Sequence, residues 1–68
     1  NKVLFMYYQI EIFYEYSKED MQEELNKFLL LLTADRIKDI RFETKSLKTL
    51  SGEYEIIYIA YIIYTYSK

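Results

Sequence analysis

The first part of the chain alternates its side chains as a β-strand does. From Val3 to Tyr16 every even position is apolar or aromatic, whereas the odd positions are apolar at the start and polar in the middle. Successive side chains of a strand point to opposite faces of its sheet, so the pattern predicts a first strand whose even face meets the core. The odd face would then present Val3, Phe5, Tyr7 and Phe13 away from the core.

A helix is predicted next, with Ser17 as its N-cap. Asp20 follows three residues later as in a capping box, and further acidic residues in the first turns face the positive end of the helix dipole. The apolar positions that come after it recur at helical spacing, which predicts one stripe against the sheet. The stripe consists of Met21, Leu25, Phe28, Leu29 and Leu32, and it is widened near its end by Leu30 and Leu31.

Two more strands are predicted after the helix. Alternation returns from Ile37 to Thr44, and the segment from Lys45 to Glu53 contains Ser51-Gly52, which is typical of a hairpin connection because glycine tolerates positive φ. The third strand covers roughly residues 54–66. It is apolar or aromatic at nearly every position, which predicts burial on both of its faces.

Together these elements predict a single α+β domain over residues 1–68 with the order βαββ. The short connection makes the second and third strands a hairpin, and the two-sided apolarity of the third strand places it at the centre of the sheet. We therefore expect a three-stranded antiparallel sheet of order 2-3-1 with one helix packed on one face. The opposite face would be apolar and without cover.

The length of the chain makes an exposed apolar face informative. Domains near 68 residues bury only about 60% of their unfolded surface, and many of them gain stability from disulfides, metals or oligomerisation. This chain has no Cys and no His, which leaves oligomerisation. We expect a homodimer that packs sheet to sheet. Its predicted interface residues are Val3, Phe5, Tyr7, Phe13, Ile57, Ile59, Tyr61 and Ile63.

Which face of the third strand forms the predicted interface depends on the register of that strand. A shift of one residue in register exchanges all the side chains on a face. The alternative set on the third strand is Tyr54, Ile56, Tyr58, Ile62 and Tyr64. The nine tyrosines of the chain favour a protein partner in either case, because Tyr is enriched at protein interfaces.

The composition argues against an enzyme. Without His or Cys, the usual general base, the thiolate nucleophile and the common transition-metal ligands are absent, and one Gly cannot build a glycine-rich phosphate loop. We therefore expect no catalytic residues, no metal and no cofactor. The pattern of a signal peptide is absent at the start, and the apolar run near the end is about half of the roughly 20 residues that span a bilayer, so we expect a cytoplasmic protein without a membrane role.

The net charge of −2 hides an acidic first half and a mildly basic second half. The acidic residues Glu19, Asp20, Glu23 and Glu24 are typical of helix capping and of a solvated face. As an alternative, they form an acidic docking face that imitates phosphates on a bacterial defence nuclease or polymerase. That reading makes the protein an inhibitor from a phage or another mobile element, in keeping with its small size and its many residues with AT-rich codons.

The basic residues of the second half suggest another alternative, a weak nucleic-acid-binding module. These residues are Arg36, Lys38, Arg41, Lys45 and Lys48, on or beside the second strand and its hairpin. Neighbouring tyrosines could stack single-stranded bases. Against this, the sequence pI is about 5.0, far from a basic footprint, and lysines on an edge strand also prevent edge-to-edge pairing.

The chain resembles a family of very small sporulation-associated and phage-borne proteins from low-GC bacteria. The resemblance lies in the βαββ order, in Asp20 to Leu29 (DMQEELNKFL), in Ile37 to Phe42 (IKDIRF) and in Tyr58 to Tyr64 (YIAYIIY). It implies a small accessory protein in which no catalytic residue is carried over.

Overall fold

The computed structural model describes residues 6–67, and it contains one antiparallel sheet and one main helix. The elements in chain order are β1 (Met6–Glu15), α1 (Lys18–Leu29), a 3₁₀ turn (Ala34–Arg36), β2 (Ile37–Lys48) and β3 (Tyr54–Ser67). The strand order is β1-β3-β2, with both pairs antiparallel. This is the predicted order read from the opposite edge, and the α+β class is confirmed. Two predicted interface residues, Val3 and Phe5, lie outside the described residues.

The helix begins as its sequence predicts. Ser17 is the N-cap, and its hydroxyl oxygen accepts a hydrogen bond of 3.1 Å from the backbone N–H of Asp20. The helix ends at Leu29, and Leu30 and Leu31 are 87% and 75% exposed, so the expected widening of the apolar stripe is wrong. The physical reason is topological: seven residues must carry the chain from α1, which contacts β1 and β3, to β2 at the far edge.

The core lies between α1 and the central strand. Met21 and Leu25 of the helix and Ala60 and Ile62 of β3 are buried together. Phe28 closes one end of this core, because its ring meets the ring of Phe13 on β1 at 5.6 Å and that of Tyr64 on β3 at 5.4 Å, both edge to face. The aromatic contacts thus join the helix to two strands. Around them the packed positions are Phe13, Phe28, Leu29, Ile37, Ile40, Tyr58 and Tyr64.

The register places the faces of β1 opposite to our prediction. Phe13 pairs with Ala60, so the odd positions of β1, including Tyr7, share the face that α1 covers. The even positions Ile10 and Ile12 point to the other face and are 53% and 43% exposed, so the expected burial of the even face is wrong. The cause is the close pairing of the Phe13 ring with the helix, which fixes the parity of the whole strand.

The molecule is long and thin for its size. Its radius of gyration is 16.0 Å, whereas a compact domain of this length would have about 11 Å. The strand β3 has 14 residues and the helix 12, which correspond to about 46 Å and about 18 Å. The helix therefore covers less than half of the length of the sheet.

One end of the sheet is a two-stranded arm. The pairing of β1 stops at Tyr58, so residues 54–57 of β3 pair only with residues 45–48 of β2. The loop of residues 49–53 closes the arm with two backbone hydrogen bonds, Thr49 N–H to Glu53 C=O at 2.7 Å and Gly52 N–H to Thr49 C=O at 3.0 Å. The strands are longer here than predicted, because β2 continues to Lys48 instead of ending near Thr44.

Gly52 allows a direct test of the loop geometry. Its φ is +88°, and a Cβ at this position would have open space around it, so the cost of a side chain is backbone strain alone. We expect Gly52→Ala to lower the free energy of unfolding by about 1 kcal/mol. Gly52→Asn should lower it less, because Asn tolerates positive φ. Chemical denaturation of the two variants checks this, and equal loss in both would contradict it.

Candidate interaction surface

One face of the sheet has no helix on it, and we call it the helix-free face. It carries the even positions of β1 and the odd positions of β2 and β3, as the strand registers require. From β1 these are Tyr8, Ile10, Ile12 and Tyr14; from β3, Ile57, Ile59, Tyr61, Ile63 and Thr65; from β2, Asp39, Arg41, Glu43, Lys45 and Leu47. The structure thus places the four predicted interface residues of the third strand on this face, whereas Tyr7 and Phe13 lie on the other.

The most exposed apolar part of the helix-free face is its β1 edge. We call Tyr8, Ile10, Ile12 and Tyr14 the β1 stripe. Their side chains are 73%, 53%, 43% and 64% exposed. Four neighbouring large apolar side chains with this exposure make a continuous patch rather than the scattered surface hydrophobics of ordinary proteins.

The centre of this face is packed by its neighbouring side chains although no helix covers it. Ile59 is only 4% exposed although no helix lies above it, and its register neighbours on the two sides are Tyr14 and Glu43. Beside it, the Tyr61 hydroxyl donates a hydrogen bond of 2.5 Å to Glu43 Oε1. This bond to the carboxylate raises the pKa of Tyr61, so the hydroxyl stays neutral and directed.

The β2 side of the same face is charged. Arg41 Nε donates a 2.7 Å hydrogen bond to Asp39 Oδ2, with both side chains substantially exposed. Glu43 and Lys45 follow at the next odd positions. The helix-free face therefore has an apolar half on β1 and β3 and a polar border on β2, the arrangement of core and rim found in protein interfaces.

Sequence reasoning assigned the β1 stripe to the core and so missed it as a surface. The signal is ambiguous, because an unbroken apolar face is equally typical of a strand that packs on another protein. The polar odd positions Gln9, Glu11 and Glu15 point to the helix side with Phe13: Tyr64 donates a 2.8 Å hydrogen bond to Gln9 Oε1 there, and Glu11 and Glu15 are half-buried.

The predicted nucleic-acid residues do not come together. Arg36 Nε donates a 2.7 Å hydrogen bond to the backbone oxygen of Thr65, which ties the 3₁₀ turn to β3. Arg41 is paired with Asp39. Lys45 shares the helix-free face with Arg41, whereas Lys48 lies on the other face and Lys38 lies beside the register shift.

The predicted acidic docking face is partly engaged within the helix. Lys27 Nζ lies 3.5 Å from Glu23 Oε1 and 3.4 Å from Glu24 Oε1, and hydrogen bonding to Glu24 is the main reason that the pKa of Lys27 is raised. Glu19 and Asp20 occupy the exposed first turn, where they face the positive end of the dipole. These placements agree with a stabilising role on a solvated helix face.

A groove lies on the helix side, because α1 leaves β2 uncovered. It has a volume of about 400 Å³ between the helix and the exposed ring of Phe42. Its walls are almost entirely apolar. The lining residues are Lys18, Met21, Gln22, Leu25, Asn26, Leu29, Phe42 and Tyr58.

Within residues 6–67, no three His, Cys, Asp or Glu side chains are grouped so that they could hold a metal ion. The helices of that same part are too short and too polar to cross a membrane.

Comparison with known proteins adds no family. No protein-family model matches the chain, and neither curated proteins nor solved structures gave a significant match. The resemblance to small sporulation-associated and phage-borne proteins therefore stays a prediction.

Proposed function

We propose that the protein is a non-catalytic interaction protein that acts as a homodimer, and that the β1 stripe with the adjoining odd positions of β3 forms its interface. The observation that carries the proposal is the exposure of the four side chains of the β1 stripe, between 43% and 73%, on a strand that lies at an edge of the sheet. Burial of such side chains is the main driving force of protein association.

The total surface of the chain supports an interface of ordinary size. The accessible surface is 5763 Å², whereas a compact monomer of 8.4 kDa would expose about 4,600 Å². The excess of about 1,100 Å² exceeds the roughly 800 Å² that each partner contributes to a standard interface. A homodimer would therefore bring the exposed surface per chain close to the normal value.

The chemistry of the surface also fits a protein partner. Tyr8 and Tyr14 flank Ile10 and Ile12, so each isoleucine has a neighbouring tyrosine whose hydroxyl can stay hydrated. The charged positions of β2 border the patch on one side. As part of the same proposal, the dimer would have a regulatory role by binding another protein through a surface outside this interface.

The proposal is tested by the solution mass of two matched lysine variants. Ile12 and Leu47 lie on the same face at opposite edges of the sheet and are 43% and 48% exposed. We expect the parent protein to have a mass near twice 8.4 kDa in light scattering over a concentration series. Ile12→Lys should raise the dissociation constant at least about 100-fold, because each copy would bring a charged ammonium group into an apolar contact of the interface.

The control variant Leu47→Lys adds the same charge to the same face and should leave the mass unchanged. Circular dichroism of both variants establishes that each is folded. A parent protein that is monomeric at every concentration would overturn the proposal. Dissociation by Leu47→Lys and not by Ile12→Lys would move the interface to the β2 edge.

A further inference from the structure

The two edges of the sheet differ in the features that prevent a further strand from pairing with them. The outer edge strand β2 carries Lys38, Arg41, Lys45 and Lys48 and has a register irregularity between Ile37 and Asp39. Charged side chains and bulges are the usual means by which natural sheets prevent edge-to-edge association. This edge is protected.

The edge formed by β1 has no bulge and no basic residue, and its only charged residues are Glu11 and Glu15. Its ten residues, MYYQIEIFYE, include no Lys, Arg, Pro or Gly, and they pair with β3 in an unbroken register from Met6 to Glu15. In the described chain its outer N–H and C=O groups have no neighbouring strand, because β1 is terminal in the sheet. A long, regular, apolar edge of this kind is a template for another strand.

We propose that two copies of the chain pair antiparallel along β1, so that the homodimer contains one continuous six-stranded sheet of order β2-β3-β1-β1-β3-β2. This inference rests on the self-association proposed above and narrows its interface to the β1 edge: the β1 stripes meet side by side across a twofold axis, and the odd positions of β3 remain on the open face of the sheet. It differs from stacking of two helix-free faces, which would leave the β1 edges unpaired.

The side chains of β1 select the position of the axis. In an antiparallel twofold pair one residue lies opposite its own copy, and the candidates near the middle of β1 are Ile10, Glu11 and Ile12. An axis at Glu11 sets two carboxylates against each other, which is destabilising. An axis at Ile12 sets Glu11 opposite Phe13 of the second copy and so pairs a charge with an aromatic ring. These two registers are disfavoured.

An axis at Ile10 gives compatible pairs from Tyr7 to Phe13. Tyr8 then lies opposite Ile12 of the second copy, Tyr7 opposite Phe13, and Gln9 opposite Glu11. Tyr64 already donates to Gln9 Oε1 at 2.8 Å, so the Gln9 amide NH₂ is the group left to donate to the Glu11 carboxylate. In this register Phe13, which packs against α1, lies three residues from the axis. The α1 helices of the two copies therefore lie on opposite sides of the axis.

Amide hydrogen exchange is the first test of edge pairing. In the monomer only alternate amides of β1 bond to β3, so protection should alternate along residues 7–13. In the proposed dimer the remaining amides bond to the second β1, and protection should extend to consecutive residues. The measurement is made well above and well below the dissociation constant found by light scattering.

Single cysteine variants test the register, since the chain has no Cys of its own. With the axis at Ile10, the two Cα atoms at position 10 lie about 5 Å apart, within disulfide range, whereas those at position 12 are offset by four residues, about 13 Å. Ile10→Cys should therefore form a covalent dimer under mild oxidation. Ile12→Cys, on the same strand and face, is the control and should stay uncrosslinked.

The outcomes separate this inference from the proposed function. A dimer with consecutive protection and crosslinking at position 10 alone supports the six-stranded sheet. A dimer in which β1 keeps alternating protection overturns edge pairing while self-association stands. Consecutive protection with crosslinking at position 12 overturns the register. A monomer at all concentrations overturns both proposals.

Discussion

Replacement of Ile62 by alanine should remove a large part of the stability of the protein. Ile62 is fully buried at the centre of β3, between α1 and the sheet, with Ile40 and Glu11 as its register neighbours. Loss of the side chain removes apolar burial and leaves a cavity, which together cost about 2–5 kcal/mol. A domain of 68 residues has a total stability of only about 3–10 kcal/mol. We expect the melting temperature to fall by about 10 °C or more.

Ile56→Ala is the matched control for this prediction. Ile56 lies on the same strand and the same face, but beyond the end of β1 in the arm, and is 48% exposed. Its loss should cost less than about 1 kcal/mol. Thermal and urea unfolding at one fixed protein concentration measure both variants, because a dimer has concentration-dependent stability. Equal destabilisation by the two substitutions would show that the core is not centred on Ile62.

The sequence was sufficient for the elements and for their order because the signals were local. Ser17 satisfies the N–H of Asp20 without help from the rest of the fold, and Gly52 marks the hairpin loop by its own backbone freedom. The central place of β3 followed from its two apolar faces, since a central strand is covered on each side by its neighbours' side chains. Ile59 and Ile62, on opposite faces, are 4% and 0% exposed.

The faces of β1 were not predictable in the same way, because the pattern is consistent with two arrangements. An apolar even face can lie under the helix or on a second protein, and local alternation does not distinguish them. The tertiary contact of Phe13 with Phe28 decides between them. The error matters for function, because it moves the candidate surface from the odd to the even positions of β1.

The end of the helix was mispredicted for a similar reason. Leu30 and Leu31 continue an apolar run, which on its own favours continuation of α1. The chain instead turns after Leu29 toward β2. The hydrogen bond from Arg36 to the Thr65 backbone oxygen then anchors the 3₁₀ turn to β3. An arginine in a basic segment therefore has a structural role that its local sequence does not indicate.

Phe28→Ala should produce the second large loss of stability, because Phe28 is the contact that holds α1 to two strands at once. Its ring meets Phe13 and Tyr64 at 5.6 and 5.4 Å with interplanar angles of 68° and 67°, the edge-to-face geometry that contributes about 0.5–1.5 kcal/mol per pair beyond area burial. Since Phe28 is half-buried, we expect a total cost of about 3 kcal/mol, near the lower limit for Phe→Ala.

Phe28→Leu separates the geometry of the ring from its bulk. It keeps most of the apolar volume and loses both aromatic pairs, so it should cost about 1–2 kcal/mol. Leu31→Ala, 75% exposed just after the helix, should cost less than about 0.5 kcal/mol. Urea unfolding monitored by circular dichroism gives all three values. A Phe28→Ala loss as small as that of Leu31→Ala would mean that α1 is held by Met21 and Leu25 alone, and the parity of β1, which depends on the Phe13–Phe28 contact, would then have to be redetermined.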